Sequence, residues 1–223
     1  DTVLPTSPKP YWQTADLLTI THREDAVNDF KIQPLLPYML SQTGPRFAVG
    51  DVNGDGLDDV FVGGGRGQGG QVLVQKGGRF VPVVQPALLA DRACEDAGAE
   101  WFDADGDQDL DLVVASAGYE LPADDPRLQT RLYLNDGTGR LTKATGLPDV
   151  RVSASCVRVA DIDNDGDRDV FIGARVVPGR YPETPVSHLL LNDGKGIFSD
   201  VTSQQPALSQ LGMVTDAAFA DFT

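Results

Sequence analysis

The stretch FAVGDVNGDGLDDVFVGGG, residues 47–65, decides how the rest of the chain reads. A short apolar run enters a nine-residue loop dense in Asp, Asn and Gly, and a second, β-branched apolar run leaves it. Two further segments align with it without gaps through their centres: AEWFDADGDQDLDLVVASAG (99–118) and VRVADIDNDGDRDVFIGARV (157–176). Their acidic loops open at Asp51, Asp103 and Asp161, at spacings of 52 and 58 residues. A shorter copy, AAFADFT (217–223), puts Asp221 in register 60 residues after Asp161. Ordered self-similarity at such a period marks a repeat architecture.

Each unit reads as four short strands. The apolar runs before and after the acidic loop supply two. A third follows at Val72-Leu73-Val74, Leu132-Tyr133-Leu134 or Leu189-Leu190-Leu191, and a fourth passes through Phe80, Leu141 or Phe198. The last two are joined by Lys-Gly-Gly or Asn-Asp-Gly, residues that tolerate the positive φ of a hairpin turn. Twenty-four Gly and 15 Pro argue against a helical bundle. The expectation is an all-β chain of β-propeller blades, each with four antiparallel strands. The divisions are a Pro-rich lead-in (1–45) packed against the first blade, blades at 46–98, 99–156 and 157–216, and the start of a truncated fourth at 217–223. An N-terminus lacking both Met and a signal pattern reads as processed or trimmed, and an end inside a repeat reads as a fragment or part of a longer chain.

The three loops are DVNGDGLDD (51–59), DADGDQDLD (103–111) and DIDNDGDRD (161–169). Oxygen-bearing side chains stand at positions 1, 3, 5 and 9: Asp51, Asn53, Asp55 and Asp59; Asp103, Asp105, Asp107 and Asp111; Asp161, Asp163, Asp165 and Asp169. The carbonyl at position 7 (Leu57, Asp109, Asp167) adds a further oxygen. Six or seven hard oxygens in a tolerant geometry suit Ca²⁺ rather than Mg²⁺, at about three ions, one per complete repeat. An EF-hand would need a Glu at position 12, where Val62, Val114 and Ile172 stand instead. Gln108 replaces the glycine of the other loops at position 6, so the second loop is expected to bind more weakly. The loops also carry 14 of the 33 acids and one of the 18 bases. The formal charge of −15 is therefore concentrated in them, and its sign excludes a nucleic-acid footprint.

No segment approaches the apolar length of a membrane span. Cys94 and Cys156 are widely spaced; a disulfide between neighbouring inner strands and two free thiols are both open. His22 and His188 have no catalytic motif around them, and the G-x-G-x-x-G match at 65–70 runs into a strand rather than a helix. The loops 117–130 and 174–187 offer Tyr119, Arg127, Arg175, Arg180 and Tyr181 as a candidate binding surface, with packing over the blade edge as the alternative.

From about residue 28 onward the chain resembles the FG-GAP/VCBS repeat of integrin α-subunit propellers and bacterial secreted proteins. The resemblance rests on 47–65, 33–45, 94–107 and 176–198. It is nearest a bacterial surface branch that often carries ASPIC/UnbV modules, none of which is visible here. It implies a Ca²⁺-stabilised β-propeller acting outside the cytoplasm, secreted or associated with the outer membrane. The expected role is non-catalytic: binding or assembly with a protein or glycan at the cell surface, or as a subunit of an outer-membrane complex, without membrane insertion. The alternative is a propeller domain of, or accessory to, a carbohydrate-active enzyme such as a polysaccharide lyase.

Overall fold

The apolar runs that flank each acidic loop pair with one another. β1 (Phe47–Gly50) joins β2 (Asp59–Val62), with Ala48 opposite Phe61 and Val49 opposite Val60. β5 (Glu95–Phe102) and β6 (Asp111–Ala117) repeat the pairing, with Trp101 opposite Leu112. In β9 (Ser153–Ala160) and β10 (Asp169–Val176), Val159 faces Val170. The loop is thus the turn of an inner hairpin. Outside it lie β3 (Gln71–Lys76) and β4 (Arg79–Val83), β7 (Arg131–Asn135) and β8 (Leu141–Lys143), and β11 (His188–Asn192) and β12 (Phe198–Asp200). The result is three antiparallel sheets of four strands in sequence order, the arrangement of propeller blades. A computed structural model describes residues 20–42 and 44–221, apart from the side chains of 209 and 210. Residues 1–19 of the lead-in and the last two residues of the fourth copy lie outside these.

Side chains alternate across a strand, so stacked sheets share their inward faces. Ala48, Phe61, Val72 and Val74 of the first blade meet Ala99, Trp101, Leu112, Val114 and Tyr133 of the second. Phe102, Val113, Ala115 and Leu132 on the second blade's other face meet Val157, Val170, Ile172 and Leu190 of the third. The middle blade is covered on both sides, which is why every residue of β6 is buried and its sequence shows no polar alternation. Inner strands begin earlier than the repeat boundaries at 99 and 157, at Glu95 and Ser153, because each extends past the alignable core of its hairpin. Residues 217–221 form no assigned strand but run along the third blade. There the Arg158 Nε–H donates to the Ala217 carbonyl at 2.6 Å, and Phe219 meets Phe171 edge-on at 6.3 Å. Among the described residues no helix is long and apolar enough to cross a membrane.

The lead-in reaches well beyond the first blade. Asp25 pairs with Arg66 on the β2–β3 connection, and the Arg23 N–H donates to Gln68. The strap then crosses the blade ends opposite the acidic loops. Asn28 caps a short 3-10 helix at Asp29–Lys31, and the buried Asp29 carboxylate accepts the N–H groups of Leu40 (2.5 Å) and Ser41 (2.9 Å). Gln33 Oε1 accepts from the Tyr119 hydroxyl at 2.5 Å and from the Tyr181 N–H at 3.0 Å, tying the strap to the second and third blades. Leu36 and Leu40 pack with Tyr119, Val176 and Tyr181 beneath it. Tyr119 and Tyr181, read from sequence as candidate binding anchors, are therefore held by the protein itself. Arg127 is bonded to Asp125, Arg180 to Glu183, and Arg175 lies over the Tyr38 ring. Both cysteines are free: Cys156 packs where a Gly173 side chain would stand, and the two form no disulfide.

Between the first two blades the strap covers a polar cluster. Arg131 pairs with Asp96 at 2.6 Å, both almost fully buried. Glu95, also buried, has an Oε1 without a hydrogen-bond partner among the described residues. Burial first, then the Glu24, Glu120, Asp25 and Asp96 carboxylates, push its pKa up to about 8. A carboxyl raised in the folded state favours folding while protonated. Its contribution is complete below the ordinary Glu range and is lost as pH rises toward 8. Melting measured from pH 5 to 9 should fall with rising pH, with a smaller slope in Glu95→Gln; equal slopes would exclude Glu95 as the cause. A second prediction concerns Gly98, where a Cβ would stand 2.8 Å from the Val157 nitrogen and 3.0 Å from Cys156 Cα, both backbone atoms of β9. Gly98→Ala should cost about 1–3 kcal/mol in chemical denaturation, because the inner strands must separate to admit it.

Candidate metal centres

Each acidic loop turns twice through left-handed backbone. Gly54 and Gly56 adopt φ of 70° and 82°, Gly106 and Gln108 81° and 74°, Asn164 and Gly166 62° and 101°. Position 4 thus carries the same demand as position 6, which the sequence reading missed. Asn meets it in the third loop, since Asn tolerates αL better than most side chains. Gln108 takes the strained conformation anticipated for it, and its loop still closes.

The turns aim side chains inward by a repeated bonding pattern. The first-position carboxylate accepts loop N–H groups: Asp51 from Gly56 at 2.7 Å, Asp103 from Gly106 at 2.8 Å and Gln108 at 3.0 Å, Asp161 from Gly166 at 3.2 Å. The fifth-position carboxylate accepts the N–H of position 7 at 2.9 Å in all three loops. The ninth-position Asp is fully buried and bonds through both oxygens. Asp59 accepts from Val52 (3.2 Å) and Gln75 (2.8 Å), Asp111 from Ala104 (2.9 Å) and Asn135 (2.8 Å), Asp169 from Ile162 (2.8 Å) and Asn192 (3.0 Å). This residue staples the start of the loop to the third strand of its own blade, a role invisible in spacing alone.

Carboxylate oxygens of Asp103, Asp105 and Asp111 lie within 4.8 Å of one another, as do those of Asp161, Asp163 and Asp169. Positions 1, 3 and 9 therefore converge in the second and third loops. Asp107 and Asp165, expected as ligands at position 5, stand outside these sets. In the first loop Asn53 holds position 3, and Asp51, Asp55 and Asp59 do not form such a set. Of the seventh-position residues, Asp109 and Asp167 lay their carboxylates against Gly137 and Gly194 of the outer turns, and Leu57 is exposed.

The electrostatics suit a cation. Asp105 Oδ1 and Asp161 Oδ1 are buried without a hydrogen-bond partner among the described residues, so each convergent set contains an acceptor that none of these satisfies. Burial, with Asp105 and Asp107 nearby, raises Asp111 to about 6, although the Asn135 and Ala104 N–H groups oppose the rise. Asp105 is raised by burial and then by Asp107, and Asp163 by desolvation and then by Asp165 and Asp169. Positive charge at these points would relieve repulsion that otherwise favours protonation. The residues present fit a hard divalent ion. The staple yields its own expectation. In chelator, Asp111→Ala should lower stability by about 2–4 kcal/mol, since two buried N–H groups lose their acceptor. Asp111→Asn, retaining one oxygen, should fall between it and the parent in urea denaturation.

The FG-GAP-like repeat profile matches residues 51–114 and 103–172, an overlapping pair that spans more than half of the chain and contains all three acidic loops. No curated protein matches it. Among solved structures, one similar chain is an Agrocybe aegerita lectin described as specifically recognising non-reducing terminal N-acetylglucosamine. It is 25% identical with a TM-score of 0.43, over 69% of this chain and 36% of the lectin, so the chain spans about a third of that protein's length. With its repeated inner hairpins, stapled acidic loops and matching profile, the chain belongs to the FG-GAP-like repeat family.

Proposed function

We propose that the chain is a non-catalytic, Ca²⁺-binding β-propeller module that works outside the cytoplasm, binding or assembling with a protein or glycan at the cell surface. One observation carries the calcium part. Three carboxylates converge within 4.8 Å in each of two loops, and each set holds a buried oxygen without a partner among the described residues. Bound there, Ca²⁺ would supply charge neutralisation and oxygen coordination in a structural capacity. Asp103, Asp105 and Asp111 would hold one ion, and Asp161, Asp163 and Asp169 another. Asp51, Asn53 and Asp59 occupy the same positions in the first loop and would hold a third, through one amide and two carboxylate oxygens.

The protein's own groups do the rest. The left-handed turns aim N–H groups at Asp51, Asp103 and Asp161, fixing their orientation, while the ninth-position staples keep each loop against its blade. Histidine has a structural account as well: His188 meets Asp200 at 2.8 Å and His22 meets Glu24 at 2.8 Å. The binding role rests on family membership and on rigid blades that present loops at both ends.

Calorimetric titration of the chelator-stripped protein should show Ca²⁺ uptake at about three sites per chain, and EDTA should lower the melting temperature of the untreated protein by several degrees. No heat of binding together with an unchanged melt would sink the calcium reading. A polysaccharide digestion screen tests the non-catalytic assignment, which sustained turnover would overturn. Protease accessibility on intact cells tests the location.

A further inference from the structure

The turns between the third and fourth strands do more than close their own blades. In the second blade, the buried Asn135 sends its Nδ2–H back to the preceding blade, donating to the Val52 carbonyl at 2.8 Å, and also donates to the Leu110 carbonyl at 3.2 Å. In the third blade, Asn192 Nδ2–H donates to the Ala104 carbonyl at 2.8 Å. Val52 and Ala104 hold the same place, the second residue of an acidic loop, between its first and third side-chain oxygens. The same turns touch the third-position residue. A Cβ on Gly139 would lie 3.6 Å from Asn53 Cβ, and one on Gly196 3.5 Å from Asp105 Cβ.

Each Asn is anchored at its other end to its own loop. The Asn135 N–H donates to Asp111 Oδ1 and the Asn192 N–H to Asp169 Oδ1. Asp111 Oδ2 in turn accepts the N–H of Ala104, whose carbonyl receives Asn192. An unbroken run of hydrogen bonds therefore leads from Val52 through Asn135, Asp111, Ala104 and Asn192 to Asp169 and Ile162. Only Asn combines a donor and an acceptor at this length: Asn135 Oδ1 simultaneously accepts the Gly139 N–H at 3.0 Å, and Asn192 Oδ1 the Asp193 N–H at 2.9 Å.

We propose that Asn135 and Asn192 are positioning residues that latch the first and second acidic loops to the turn of the next blade, so that a cation ordering one loop also orders the loop before it. Fixing Asp111 fixes the Asn135 backbone, and with it the amide that holds Val52. By linkage the influence is reciprocal. The third loop has no such donor among the described residues and serves as the internal reference. Coupling through cations rests on the calcium reading above; the latch does not.

Amide hydrogen exchange on the whole protein, followed by mass spectrometry of peptides from each loop, tests both parts. Asn135→Ser keeps a hydroxyl for the Gly139 N–H but is too short to reach Val52. In chelator it should speed exchange at residues 52–56 about tenfold and leave 162–166 unchanged, consistent with losing one buried bond. Asn192→Ser should do the same at 104–108 and provides a second, independent reading of the latch. Unchanged rates, or equal acceleration in all three loops, would overturn it. With calcium added, Asp105→Asn should raise the calcium concentration that half-protects the first loop at least threefold. An unshifted midpoint overturns the coupling. Absence of calcium protection at every loop of the parent protein overturns the calcium reading and the coupling together, while the chelator comparison still decides the latch.

Discussion

The ninth-position aspartate is the constraint on which the repeat depends. A carboxylate buried beside apolar strands is costly unless its oxygens are satisfied, and Asp59, Asp111 and Asp169 meet that condition in the same way. One oxygen takes the N–H of the loop's second residue and the other takes an N–H of the third strand. The loop can neither lift away nor slip in register without stranding both donors. Strand order, the inward aim of the first and third oxygens, and the placement of the outer turn all follow from that bond pair. A side chain one methylene longer would displace the same oxygens, which gives Asp a reason to stand there beyond charge.

Much of this was legible in the sequence because repetition compares positions internally. The loops, the apolar runs beside them and the Asn-Asp-Gly turns each recur in register, so four strands per unit and the candidate oxygens could be assigned by residue. At position 5, spacing of two along a loop suggests convergence, and Asp107 and Asp165 each use one carboxylate oxygen to hold the turn at position 7, a second role that spacing does not advertise. The inward grip of Asn135 and Asn192 was not legible, although both residues were, because a turn motif advertises its local bend and not the carbonyl of a neighbouring blade. The buried pair Asp96–Arg131 was not legible either, since nothing in composition distinguishes it from a solvated pair.

The two ends of the blades differ in how they are held together. At the acidic end, short contacts recur from blade to blade, with spacing set by the repeat. At the other end, a single non-repeating segment does the work, and its polar partners are individual: Gln33 between Tyr119 and Tyr181, Asp25 on Arg66, Asp29 folded back on Leu40 and Ser41. Periodicity governs one end and idiosyncrasy the other. The loops expected to bind partners through Tyr119 and Tyr181 lie at the idiosyncratic end, where both rings are already taken.

That strap sets an order of events during synthesis. Gln33 leaves the ribosome before its partners, one of which lies 86 residues later and another 148 residues later. Each blade can close from contacts near in sequence as it emerges, whereas the strap can meet the first blade at Arg66 and Gln68 but completes its docking only when the third blade's long connection has been made. Phe30, Ile32, Leu35 and Tyr38 lie along this strap, and three of the four remain more than 40% exposed even when it is docked. A strap translated before these blades is thus fully seated only after them, and its seating reports that all three are in place.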